Sequence, residues 1–206
     1  MVPTFTQGRR AARTAPGYQP RVRACAPSDM DGPMTTFAAL GLSDRLVQAL
    51  EKTALTTPTP IQAQAIPHIM AGRDVMGLAQ TGTGKTAAFG LPLLHRILDI
   101  GHPPGPRHVR ALILAPTREL VSQIHDNLTQ FTKGTAVKVV VVVGGASINK
   151  QSAALSRGAD VLVATPGRLI DLLERGDVSL EKCGYLVLDE ADRMLDMGFE
   201  PQIQRI

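Results

Sequence analysis

Val75-Met76-Gly77-Leu78-Ala79-Gln80-Thr81-Gly82-Thr83-Gly84-Lys85-Thr86 is the stretch on which the fold turns. Residues 75–79 form a short apolar run without polar alternation, the pattern of a strand buried on both faces. It runs into a glycine-rich loop, and helical spacing starts at Lys85. Gly82 and Gly84 let the loop curl so that backbone N–H groups, those of Thr81 and Thr83 among them, point inward at a phosphate. The helix N-terminus adds partial positive charge, Lys85 can reach a β- or γ-phosphate, and the Thr86 hydroxyl can ligate Mg²⁺. A plain glycine-rich turn is the alternative, and Ala79 stands where the general pattern has its first glycine; Gly-Lys-Thr between strand and helix selects the phosphate loop.

Outward from this loop the same unit recurs. Apolar runs at 109–115, 137–143, 161–164 and 185–188 alternate with helical patterns at Lys85–Ile100, Arg118–Phe131, 149–156 and Pro166–Glu174. Repeated strand-helix units predict an α/β fold, a parallel sheet with helices on both faces and right-handed crossovers. Two more helices, 44–52 and Pro60–Met70, precede the first run. Thr59-Pro60 and Thr165-Pro166 each place a hydroxyl at a helix N-cap and a proline at the first helical position, where its missing N–H costs nothing.

The last run delivers Asp189-Glu190-Ala191-Asp192. In a parallel sheet ligands gather at strand C-terminal ends, so Asp189 is expected to hold the Mg²⁺ that bridges β- and γ-phosphates and Glu190 to polarise an attacking water. A solvated acidic turn is the bland alternative, and an apolar run leading straight into it argues against that. Loop and acids together describe a site that binds and hydrolyses a nucleoside triphosphate.

Composition narrows the rest. The 206 residues, 44% apolar, suffice for one buried core. No stretch approaches the roughly 18 apolar residues of a membrane span, and the first 30 lack a secretory signal, so no membrane partner and a cytoplasmic location are expected. Cys25 and Cys183 read as free thiols, and the five histidines are scattered without zinc spacing. The net charge of +4 is uneven: Arg9, Arg10, Arg13, Arg21 and Arg23 against Asp29 and Asp31 put +3 into residues 1–36. A nucleic-acid grip on the globular part must then come from a few placed groups and backbone amides, and 3% aromatic content leaves little for stacking bases. Residues 1–33, broken by five prolines and three glycines, read as a disordered tail. A solvated extension, an arginine arm for RNA, a transit peptide and a translation start at Met30 or Met34 are all open readings of it.

Asp-Glu-Ala-Asp, preceded by 79–86, resembles the first RecA-like domain of the DEAD-box ATP-dependent RNA helicases, from about Phe37 to the end of the chain. The resemblance implies a RecA-like P-loop domain over 34–206 with ATP and Mg²⁺ as cofactors. It also implies an adenine-reading element at Pro58-Thr59-Pro60-Ile61-Gln62 with Phe37 upstream. A glutamine amide matches adenine N6 and N7, and a ring can stack on a base. Ala54 departs from the family, which has glycine there. Three further segments match elements that hold RNA: Pro116-Thr117-Arg118 with Glu119-Leu120, Gly144-Gly145, and Thr165-Pro166-Gly167-Arg168. All follow strand C-terminal ends, and each offers phosphate-binding chemistry as a guanidinium fork, a hydroxyl or backbone N–H. Taken singly, each is equally a helix cap or a turn.

The expected activity is unwinding or remodelling of short RNA duplexes by sequence-independent backbone contacts, with ribose 2′-hydroxyls distinguishing RNA from DNA. An ATP-gated RNA clamp or scaffold and a P-loop DNA translocase are the rival readings. The resemblance further implies a serine-alanine-threonine element and a second RecA-like domain that supplies arginines to the γ-phosphate, with Asp192 coupling the site to them. An arginine finger is worth about 10³–10⁵ in rate, ~4–7 kcal/mol. Without those parts this stretch is expected to bind nucleotide weakly and hydrolyse it negligibly.

Overall fold

The two apolar runs at the centre of the sequence become the centre of the sheet. Every residue of β3 (Val109–Leu114) and of β5 (Ala159–Ala164) is buried. In a computed structural model the described residues are 36–53, 55–80 and 82–206, with the backbone of 4–7. The remaining tail, including its arginines and Cys25, lies outside them, as do Ala54 and Thr81.

β3 pairs in parallel with β5 on one side and with β6 (Tyr185–Leu188) on the other, and β4 (Val139–Val142) lies parallel outside β5. Side chains alternate between two apolar layers. Ala111, Ile113, Val161, Val163 and Val187 face α1 (Asp44–Glu51), α2 (Pro60–Met70), α3 (Lys85–Ile100) and α4 (Arg118–Phe131). Leu112, Leu114, Val140, Leu162 and Ala164 face α5 (Ile148–Leu155), α6 (Pro166–Glu174), α7 (Ala191–Asp196) and α8 (Glu200–Arg205). Helices therefore cover both faces, and the central strands β3 and β5 need no polar alternation because neither side meets water, whereas β2, β4 and β6 are partly exposed.

α3 and α4 approach closely at Gly90, where an added Cβ would stand 2.7 Å from Leu128 Cδ2. This contact sets the height of α3, and so of Lys85 at its first position, above the sheet. α2, α3, α4 and α6 start and end as their patterns predict.

Beyond shifts of one or two residues at the ends of α1, β3, β4, α5 and β5, and the short helices α7 and α8 that the sequence pattern does not announce, two features differ from the sequence expectation. The strand before the phosphate loop is only β2 (Val75–Met76), because Gly77 and Leu78 already belong to the loop's approach. Thr4–Gln7, read as part of a structureless tail, form β1, antiparallel to both its neighbours, in the sheet order β2-β1-β6-β3-β5-β4. Thr and Phe suit a strand, and β2 and β6 leave a one-strand gap that a local pattern flanked by proline and glycine does not announce. The other five strands all point the same way, so their C-terminal ends open on one edge.

Candidate nucleotide site and nucleic-acid interface

The phosphate loop spans the turn from β2 into α3. Gly82 and Gly84 both sit at positive φ (+84° and +86°), a conformation that costs glycine nothing, and Gly84 caps the helix from that geometry. A Cβ on Gly84 would also overlap the Gln62 amide nitrogen. The loop is tied to the start of α2. Gln62 Nε2 donates to the Gly84 carbonyl (3.1 Å), its Oε1 accepts from Thr59 N–H (3.0 Å), and the Thr59 hydroxyl donates to the Thr83 carbonyl (2.9 Å). Gln62 is fully buried, with one bond at each end of its amide; one N–H and one lone pair remain beyond these. Phe37, offered by the sequence reading to a base, is packed into the apolar layer with 3% of its surface exposed. The segment 37–40 turns that ring inward ahead of α1.

Asp189 directly follows β6, its N–H continuing the ladder to the Leu114 carbonyl (2.9 Å). It is almost completely buried, and its Oδ1 has no hydrogen-bond partner among the described residues. Burial pushes the carboxyl above its ordinary value, the Lys85 ammonium pulls it back, and the Glu190 charge adds to the rise. Lys85 is itself buried, and Thr86 beside it is partly exposed. A buried carboxylate oxygen with nothing among the described residues to accept from, coupled to Lys85 at the start of α3, fits a hard cation such as Mg²⁺, which takes one or two protein oxygens and otherwise phosphate and water. Glu190 adopts a left-handed backbone (φ 54°), unusual for a residue with a side chain, and caps α7. Its Oε2 accepts from Arg193 Nη1 at 3.2 Å, a partner with no motif to announce it. Asp192 is exposed on the first turn of α7.

The remaining predicted residues lie along the same edge, beyond β6. After β3, Pro116 is buried and Thr117 caps α4, its hydroxyl accepting from Leu120 N–H (3.2 Å). After β5, Thr165 caps α6 by position, but its hydroxyl makes no capping bond, and Pro166 is buried at the first helical position. Gly167 follows, partly exposed. After β4 comes the Gly144-Gly145 turn, with Gly145 at φ +77°. The structure brings both predicted arginines to this turn. Arg118 lies so close over Gly145 that a Cβ there would stand 2.5 Å from Nη1, and Arg168 Nη1 donates to the Ala146 carbonyl (2.9 Å). Arg168 Nε is 3.5 Å from Asp171 Oδ2, within ion-pair range but not aligned as a hydrogen bond. The candidate nucleotide residues thus stand at β2 and β6 and the candidate RNA residues at β3, β5 and β4. Cys183, outside both groups, is a free thiol.

The chain is similar to known proteins along most of its length. The family model described as DEAD/DEAH box helicase matches residues 59–206. A "Probable ATP-dependent RNA helicase ddx3" from Dictyostelium discoideum is 53% identical, over 84% of this chain and 26% of its own length. The RNA-helicase Prp28 from Chaetomium thermophilum, solved bound to ADP, superposes with a TM-score of 0.76 at 46% identity, covering 84% of this chain and 43% of that one. The yeast DEAD-box splicing factor Prp28 superposes with a TM-score of 0.72 at 36% identity, covering 86% and 43%. The chain spans about a quarter of the length of the curated relative and under half of the solved ones. With its family model running from the cap of α2 through the acids after β6, the chain belongs to the DEAD/DEAH box helicase family.

Proposed function

We propose that residues 34–206 form the ATP-loading, first RecA-like domain of an ATP-dependent RNA helicase that acts in the cytosol, with 1–33 as an arginine-bearing extension. The observation that carries this reading is Asp189: a buried carboxylate with an unpartnered oxygen, beside a buried Lys85, at the mouth of a phosphate loop. Such a pair is costly to keep unless a charged ligand completes it.

In this reading the amides of 81–84 cradle the phosphates, Lys85 holds the β/γ end, and Thr86 and Asp189 hold the cation. Mg²⁺, when bound, neutralises charge developing between the β- and γ-phosphates. Glu190, fixed by its backbone and by Arg193, orients the attacking water. Gln62 stands at the adenine end, with its spare N–H and lone pair for the base edge, and Phe37 would stack only after turning out of the core. Thr117, Arg118, Gly144, Gly145, Thr165, Gly167 and Arg168 take the RNA backbone, with Pro116 and Pro166 shaping the turns. A second RecA-like domain closes over both ligands and adds arginines to the γ-phosphate, with Asp192 at the contact; the share of the solved relatives that the chain covers supports such a domain. Closure on ATP and RNA together bends the strand and opens a short duplex.

The test uses the full-length protein. Lys85→Ala should abolish ATP-dependent unwinding, and Glu190→Gln should retain ATP binding while stopping turnover. Unwinding that survives the first substitution overturns the role of the loop; loss of binding in the second overturns the division of labour between the acids. Slow ATP turnover with long RNA residence and no strand separation would make the protein a clamp instead.

A further inference from the structure

β4 is an edge strand, and among the described residues its far side has no partner strand. The Val142 carbonyl points inward, accepting from Thr165 N–H (3.1 Å). Strand alternation therefore turns the N–H and C=O of the next residue, Val143, outward to the open edge. They are not left there. Gln151, on the second turn of α5, accepts the Val143 N–H on Oε1 (3.1 Å) and donates Nε2 to the Val143 carbonyl (3.0 Å). A single buried amide supplies both bonds that a neighbouring strand would have made.

The segment clamped in this way is the Gly144-Gly145 turn, which leaves the sheet at Val143 and returns through Ser147, the cap of α5. Arg118 rests on Gly145 and Arg168 donates to the Ala146 carbonyl. The place where the turn leaves the sheet thus decides where two guanidinium groups can stand. We propose that Gln151 is a positioning residue for RNA: it sets the exit of the Gly144-Gly145 turn, and through it the placement of Arg118 and Arg168 for backbone phosphate. The inference rests on the reading of this edge as the RNA track. Gln151 itself need not touch RNA. Its role is to replace a missing strand with a matched donor and acceptor, and neither alone is enough.

That requirement gives a test in which the protein controls for its own folding. In Gln151→Glu of the full-length protein, a carboxylate can accept from Val143 N–H but repels the Val143 carbonyl. The protonated acid has one acceptor and one donor, and so restores the glutamine pattern. Burial and the facing carbonyl favour protonation, which brings the transition upward from the ordinary carboxyl range. Binding of a fluorescent oligouridine is measured with a non-hydrolysable ATP analogue present, from about pH 8 down to about pH 5.5. At high pH the Glu variant should bind RNA about tenfold more weakly than the parent, the factor expected when one buried hydrogen bond is lost, and should recover as the pH falls. Gln151→Leu should be weak throughout, the parent should follow no such transition, and nucleotide affinity should be unchanged in all three. RNA binding by the Glu variant that equals the parent at every pH, or a loss that lowering the pH does not reverse, overturns the proposal. If Arg118→Ala and Arg168→Ala leave RNA binding intact, the RNA reading of the edge fails and the proposal with it. If they weaken binding while both Gln151 variants bind normally, only the role of Gln151 fails.

Discussion

At the scale of the residue, burial makes the charged form of Asp189 costly to the folded protein. Its carboxyl is raised, first by burial and against the pull of Lys85, so the folded state takes up a proton more readily than the unfolded chain. The resulting destabilisation is complete at pH values above the folded-state pKa and vanishes below the ordinary carboxylate range. Asp189→Asn should therefore raise the melting temperature of the nucleotide-free protein at neutral pH, with the gap over the parent closing as the pH falls toward about 4, while Mg²⁺-dependent nucleotide binding is lost. Thermal melts across pH, with and without Mg²⁺-nucleotide, check both halves. A variant less stable than the parent at neutral pH would mean that Lys85 outweighs burial. Gly84 is constrained twice over, by its φ and by the Gln62 amide in the space a Cβ would need. The sequence pattern made a glycine there legible, but only the packed loop shows the second reason.

At the scale of the element, the central strands and α3 carry the site on rigid supports. Ile113 is fully buried in β3 between β5 and β6. Ile113→Ala should cost about 2–5 kcal/mol, read as a lower urea midpoint with little change in slope. Gly90 separates stability from function differently. The tip of Leu128 can rotate to admit one methyl, so Gly90→Ala should be mild. Gly90→Val forces α3 away from α4 at a cost of about 1–3 kcal/mol, and should also weaken nucleotide binding because Lys85 and Thr86 ride on the same helix. Unaltered nucleotide affinity in a folded Gly90→Val protein would show that the loop is held by α2 through Thr59 and Gln62 instead. Four of the helices were readable to the residue because 3.6-residue spacing, a threonine-proline start and a glycine stop are local signals. β1 was not, since four residues among prolines show no period of their own.

Over the whole molecule, five strands of one direction place the phosphate loop, the acids and the candidate RNA residues on a single edge, with nucleotide groups at β2 and β6 and RNA groups from β3 outward to β4. β6 and β3 are neighbours, so Asp189 and the Pro116-Thr117 turn leave adjacent strands and the two ligands would share one rigid border. The globular part carries little net charge and few placed cations face that border, so single-stranded RNA binding should be only weakly salt-dependent, with a logarithmic slope of about −1.5 to −2. A titration over salt concentration measures it, and a slope steeper than about −4 would mean a broader basic surface than the near-neutral charge balance beyond residue 36 predicts. The amino-acid sequence by itself determined the strand-helix order, the phosphate loop, the acids at the end of a buried run and the common edge, because periodicity and glycine chemistry act between near neighbours. Only the tertiary structure decided that Thr4–Gln7 enter the sheet, that Phe37 turns into the core, that Gln62 binds the loop from beneath, and that Gln151 closes the edge beside the Gly144-Gly145 turn. Each depends on which backbone groups and apolar faces the rest of the fold leaves uncovered, and no local pattern records that.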